Sequence, residues 1–312
     1  MMNLNGTVVT EFLLLGFSTS PEQQVLLFVA LLAIYLVTVV GNLLIILVTL
    51  VDPVLHTSMY IFLSNLSALE VGYTSVTVPK MLVSLISGDK HISFAGCAMQ
   101  MGFFLCFGST ESSFLTTMAY DRYVAICSPL CYTMIMNKKV CVLLAATSWT
   151  IAMMVLTFML PFCASKEVGH FFCHFMPLLK LSCTDTHLVE FLSFTVSACV
   201  TLVPFLLILT SYYKIILTIQ KIPSTTGKQK ASFTCSSHLP VVSIFYGTVI
   251  IVYVAPAGNQ SPALNEAYSL LYTVISPMFN PLIYRLRNKE VKGALQKVGS
   301  KLFTFLNKSN IP

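Results

Sequence analysis

Charge is what this sequence lacks: 10% of its 312 residues are charged while 56% are apolar. Soluble domains need far more solvated surface, so a mean hydropathy of +0.81 places the chain in a membrane. A typical leader is missing as well. The first twenty residues hold Glu11 and no lysine or arginine, and the first apolar run, 25–51, is too long for a leader's core, so insertion is expected to rely on that span. There is no basic patch interleaved with aromatics, so the net charge of +6 does not point to nucleic acid. No nucleophile and base fall together at either aqueous face, which argues against an enzyme.

Seven runs of about 20 or more residues are apolar enough to span a bilayer: 25–51, 58–82, 94–123, 140–162, 191–219, 232–256 and 265–285. They are too long for strands and do not alternate. The expected fold is therefore an all-α membrane protein, a seven-transmembrane helix bundle over 25–285. An outer N-terminus, 1–24, precedes it and a cytoplasmic tail, 286–312, follows. An odd number of spans sets the termini on opposite sides. Fourteen lysines and arginines then share the C-terminal face, against Lys80, Lys90, Lys166 and Lys180 on the other, which makes the C-terminal face cytoplasmic. Of four Asn-x-Ser/Thr matches, Asn65 would be buried in the second span, Asn307 would be cytoplasmic and Asn259, though outside, has Pro262 just after its serine, so Asn5, outside and exposed, is the expected glycan site. Within the tail, Leu286, Val291, Leu295 and Val298 recur at helical spacing among basic residues. That pattern predicts a short amphipathic helix on the anionic inner leaflet, with a disordered basic tail as the alternative.

Few acids interrupt the spans, and two sit in mid-bilayer. Glu70 lies half-way along the second span, and Glu111 is about 16 Å up the helix from Arg122 at 1.5 Å per residue. A carboxylate there must face the bundle interior. With Asn42 and Asn280 the pair reads as a sodium or proton site. The alternative is two neutral acids hydrogen-bonded to backbone and to hydroxyls such as Ser67 and Ser113. Asp121-Arg122-Tyr123 closes the third span at the cytoplasmic edge. There a guanidinium can be held by its neighbouring carboxylate in one state and released to a partner in another. Intramembrane acids also mark ion pathways, so a transporter or channel is the rival reading. Against it, the sequence shows no inverted repeat, no paired broken helices and no filter-like loop.

The motifs GN at Gly41-Asn42, LHTSMYIFLSNLS at Leu55 to Ser67, MAYDRYVAIC at Met118 to Cys127, SY at Ser211-Tyr212, KASFTCSSH at Lys230 to His238 and PMFNPLIYRLRNKEVK at Pro277 to Lys292 appear in order against the seven spans. In these the chain resembles rhodopsin-like (class A) G-protein-coupled receptors and, within them, the olfactory (odorant) receptors. The resemblance implies an activation switch of Asp121, Arg122, Tyr123, Tyr212, Asn280, Pro281 and Tyr284. It also puts Tyr246 where many class A receptors carry a tryptophan toggle, and gives Pro204, Pro281 and Trp149 roles in kinks and packing. It implies disulfides Cys97–Cys173 and Cys163–Cys183, leaving Cys106, Cys127, Cys131, Cys141, Cys199 and Cys235 as thiols.

His170-Phe171-Phe172-Cys173-His174 is similar to a motif for which copper has been suggested. A disulfide sulfur is a poor ligand, though, and the family usually has an acid at His174, so no metal is assigned. No cofactor is expected beyond a sodium ion or proton at Glu70 and Glu111. The seventh span lacks the lysine of an opsin, and Phe104 stands where amine receptors carry an aspartate. Helical spacing from the matched motifs puts Phe104, Leu105, Gly108, Ser109, Val196, Ser197, Val200, Ile250, Tyr253 and Thr273 around an apolar cavity with a few hydroxyls. Such a lining suits a small, mostly apolar volatile molecule. The partners implied are that odorant, the lipid bilayer and a stimulatory heterotrimeric G protein that raises cyclic AMP. Three departures from the family pattern stand out: Ser58 replaces a proline, Glu70 an aspartate, and Arg285 a common serine.

Overall fold

Ser20 precedes Pro21, and its N–H donates to Gln23 Oε1 at 3.1 Å. The proline has no N–H to leave unpaired at the first helical position, so a helix starts there. The computed structural model describes residues 10–16, 20–155, 167–168, 171–173, 187–236, 238–254, 267–287 and 289–309. Helix α1 runs Pro21–Val51 and stops at Asp52, whose carboxylate takes the N–H of Val54 at 3.1 Å. Helix α2, Ser58–Ser87, ends on Gly88, where φ of 69° needs the missing Cβ. Helix α3, Phe94–Cys127, begins under Ser93, whose hydroxyl accepts from Gly96 N. Then come α4 (Lys138–Val155), α5 (His187–Lys221), α6 (Thr225–Cys235), α7 (His238–Val254), α8 (Ser276–Arg287) and α9 (Lys289–Ser309).

Helix α3 is the axis. It packs against α2, α4 and α5 along its length and touches α6 and α7, while α1 closes the far side against α2 and α8. The largest core lies around the inner half of α2 and α3, where Phe62, Leu66, Leu69, Phe114 and Leu115 are fully buried. Among the described residues two helices, Pro21–Val51 and Thr195–Lys221, are long and apolar enough to cross a membrane by composition alone, and a third candidate is a bent pair, Pro129–Ile135 with Lys138–Trp149 at 66°. Helices α2 and α3 are also long enough, at 30 and 34 residues and 1.5 Å each. They fall short on composition because they turn polar residues inward: Ser67, Glu70, Thr74, Thr77, Thr110, Glu111 and Ser112 are all buried. By contrast α1 and α5 present Leu26, Leu43, Leu50, Leu202, Leu206 and Ile216 outward, a face that hydrocarbon rather than water accommodates.

Several details differ from the expected spans. Helix α5 starts four residues earlier than 191. The run expected at 232–256 is carried by α6 and α7. The run at 265–285 is helical over 267–270, widens into a π turn at Leu271–Ile275 and continues as α8. A small three-stranded sheet also forms outside the spans. Strand β1 (Glu11–Leu14) pairs antiparallel with β2 (His91–Ser93) and parallel with β3 (Glu167–Val168). Segments this short carry no readable alternation, and pairing partners 78 or more residues away supply what periodicity cannot. Asp89 shapes the turn before β2 by accepting His91 N–H at 2.9 Å, and that bond holds its carboxyl below the usual range. The tail is helical, with Val291 and Ala294 buried and Lys292 and Lys297 exposed. Tyr60 donates to Glu290, and Lys297 donates to Asp52 at 3.1 Å, so the helix is tied to the α1–α2 turn.

Candidate functional site

Three polar or aromatic constellations lie along α3 from the outer to the inner end. At the outer end Cys97 is disulfide-bonded to Cys173, and Phe12, Leu14 and Met101 pack around the bridge. Gln100, one turn further in, donates to Val76 O at 3.0 Å and accepts Cys173 N–H at 2.9 Å, locking the loop to both helices. The loop's Phe172 then lies on Phe104 with centroids 5.0 Å apart, and Tyr73 and Tyr272 touch the same ring at 5.1 and 5.7 Å. One turn below Phe104, a Cβ built on Gly108 meets no atom of the described residues within 4 Å. Open space therefore adjoins α3 directly beneath the aromatic roof.

Of the expected ligand contacts, Phe104, Ser109 and Thr273 are buried, and Leu105, Gly108 and Val200 are partly buried. The hydroxyls of Ser109 and Thr273 bond back to their own helices, at 2.9 Å to Cys106 O and 2.6 Å to Ser269 O. Val196, Ser197 and Ile250 are exposed, and are not gathered with the others. For Val196 the reason is phase. Sixteen residues at about 100° each set it about 160° around α5 from the inward Tyr212. The side chains of Tyr253 and Tyr284 lie outside those described, as do Asn5, Cys163, Cys183, His170 and His174. A separate cleft of ≈ 470 Å³, part of it open to solvent, is lined by Leu14, Gln24, Met81, Ser84, Leu85, Lys90 and Phe171 and includes none of the expected contacts. Among the described residues no group of His, Cys, Asp and Glu is arranged to hold a metal.

At mid-depth Glu70 and Glu111 are both buried, close enough for each carboxyl to feel the other. Asn280 donates to Glu70 Oε1, while Glu70 Oε2 has no hydrogen-bond partner among the described residues. Two carboxyls so placed cannot both be charged without a proton or cation between them. Asn42 is buried nearby on α1, donates to Thr38 O at 3.0 Å, and leaves its own Oδ1 unpartnered. Ser113 gives its proton to Ser109 O at 3.1 Å and so is not tied to the acids. Just below, Tyr246 OH meets Ser112 Oγ at 2.9 Å and Ser112 Oγ meets Val200 O at 3.2 Å, joining α7, α3 and α5. Phe205 packs on the Tyr246 ring at 4.8 Å.

At the inner end Asp121 is fully buried, and Arg122 donates to its Oδ2. Its other oxygen accepts Ser58 Oγ at 2.7 Å and Tyr132 OH at 2.8 Å. Burial, and then the Asp121 charge, push the Tyr132 phenol up to about 12, so it stays a donor. Tyr123 lies under Lys214 Nζ at 5.4 Å. Tyr212 OH meets His238 Nδ1 at 2.6 Å, and Pro281 packs on Gly41, where an added Cβ would come within 3.2 Å of its ring. Sequence reasoning missed Gln100, Ser112, Tyr132 and His238 as site residues. Gln100 and Ser112 are polar interruptions of an apolar run, which was the available signal. His238 stands inside a motif already noted, but its partner is 26 residues away across two helices.

A model of the olfactory receptor family matches residues 31–301. The chain belongs to the olfactory receptor family. It is 53% identical to human olfactory receptor 10A7, over 96% of this chain and 99% of that one. It is 49% identical to human olfactory receptor 10C1 over 96% and 98%, and 48% identical to chimpanzee olfactory receptor 1E1 over 98% and 100%. Olfactory receptors are multi-pass plasma-membrane proteins of seven-transmembrane fold that detect odorants through a G protein; they are signalling receptors, not enzymes. In this olfactory receptor the aromatic roof, the acid pair and the Asp121-Arg122 pair each have a member on α3: Phe104, Glu111 and the Asp-Arg pair itself.

Proposed function

We propose that this olfactory receptor binds a small, mostly apolar volatile molecule carrying one oxygen. The ligand occupies the space beside Gly108, below Phe104 and Phe172, in a bilayer-embedded bundle with its N-terminus outside and its C-terminus cytoplasmic. The supporting observation is that open space, walled by aromatic rings and adjoining hydroxyls that already bond to backbone, so the pocket offers few free polar groups. Occupation favours the helix arrangement that frees Arg122 from Asp121, because a ligand shifts an equilibrium by its differential affinity for the two states. The freed inner face engages a stimulatory, olfactory-type G protein and raises cyclic AMP. Asp121, Arg122, Tyr123, Tyr212, Tyr246, Asn280, Pro281 and Tyr284 form the moving parts, and Glu70, Glu111 and Asn42 hold one proton or a sodium ion in the resting state.

Cyclic AMP in cells expressing the receptor, its Arg122→Ala variant and a Gly108→Leu variant at matched surface level, against ketones, alcohols, esters and acids, tests this. The parent alone should respond. A full response from Gly108→Leu refutes the pocket, and one from Arg122→Ala refutes the switch.

A further inference from the structure

We propose that Ser58 is a positioning residue of the signalling switch: it holds the Asp121 carboxylate, and through it Arg122, in the resting arrangement. The inference rests on reading Asp121 and Arg122 as that switch. Ser58 is the first residue of α2, is itself buried, and donates to Asp121 Oδ1 at 2.7 Å within a contact that also includes Tyr132 OH. Asp121 therefore receives three donors from three elements: Arg122 on its own helix, Tyr132 on the inner loop, and Ser58 on α2. A carboxylate held on both oxygens is stable where it is, and each donor raises the free energy needed to let it turn.

The position also makes the test clean. A first helical residue has an N–H with no partner inside the helix, so proline is tolerated there without loss of the helix. Ser58→Pro and Ser58→Ala both remove the hydroxyl, and Ser58→Thr keeps it. Ligand-independent GTP exchange by a heterotrimeric G protein is read in membranes containing the full chain, normalised to receptor at the surface. Removing a hydrogen bond to a charged acceptor is expected to raise exchange on the order of tenfold. Ser58→Thr should return it toward the parent, and within an Asp121→Asn background Ser58→Ala should add less than about twofold.

No rise, or an equal rise in both backgrounds, overturns the inference. Arg122→Ala run in parallel tests the switch separately: unchanged exchange there removes the reading on which the inference stands, whatever Ser58 does. Where exchange is too slow to read, alkylation of Cys235 followed by peptide mass spectrometry replaces it. That thiol is 5% exposed in the inner core and should react faster in Ser58→Ala, and an unchanged rate is equally fatal.

Discussion

Single polar atoms buried without a partner mark where this receptor departs from a simple packed bundle. Glu70 Oε2 and Asn42 Oδ1 are two of them, and they flank the same mid-depth region. Glu111→Gln supplies an amide donor of nearly the same shape in place of the facing acid, which removes the need for a shared proton or cation. The unfolding temperature of the purified parent is expected to move with sodium or with pH, and that of Glu111→Gln to respond to neither. A variant that kept the parent's sensitivity would place the ion elsewhere. Gln100 shows the converse case, a buried polar side chain fully used. Gln100→Ala leaves Cys173 N–H and Val76 O without it, a loss of about 1–3 kcal/mol per orphaned group. Lower thermal stability should accompany weaker odorant response, whereas an unchanged melting curve would mean water takes over both bonds.

Helices were legible in the sequence to the extent that each had to satisfy a single face or a single end. The 25–51 run was revealed by composition, whereas the start at Ser20-Pro21, four residues before it, and the Gly88 stop, beyond the expected end at 82, are set by end chemistry that the apolar pattern does not carry. The acids of α2 and α3 were legible for a related reason, since a charge in an apolar run has few places to go. Pairings between elements were not: Ser58 with Asp121, Ser112 with Tyr246 and β1 with β2 join residues 63 to 134 positions apart or, for the strands, about 80. Those depend on relative rotation and depth of helices, which no local period encodes. The exposed Val196, on the opposite side of α5 from Tyr212, shows that a span's inward face has to be phased from a residue known to be buried.

Helix α9 gives the element-scale test. Its Val291 is completely buried against the bundle, so Val291→Asp should detach it despite the Tyr60–Glu290 and Asp52–Lys297 ties, a buried unpaired charge being worth several kcal/mol. Trypsin applied to inside-out membranes should then cut at Lys292 and Lys297 at least several-fold faster than in the parent. Equal rates would show that lipid alone holds the helix.

Among the described residues α3 carries groups of both the outer and the inner layer, Cys97 at one end and Asp121 at the other, so the two layers can be perturbed separately. The Cys97–Cys173 bridge spans 76 residues of sequence and secures the loop whose Phe171 and Phe172 roof the space above Gly108. Loss of a native bridge of this kind costs about 2–5 kcal/mol, and here that loss falls on the outer layer. Phe172 no longer has a fixed seat on Phe104, and Gln100 loses the Cys173 N–H. The inner donors on Asp121 are Ser58 at the start of α2, Tyr132 on the inner loop and Arg122, which lies 25 residues along α3 from Cys97, so none of the three is a neighbour of the bridge. Cys97→Ser with Cys173→Ser, compared at matched surface expression, should therefore abolish the odorant-dependent rise in cyclic AMP and leave ligand-independent GTP exchange within about twofold of the parent. Loss of both would mean that the outer layer is needed for the inner packing itself. A preserved odorant response would show that the ligand sits below the reach of the loop, against the inner half of α3.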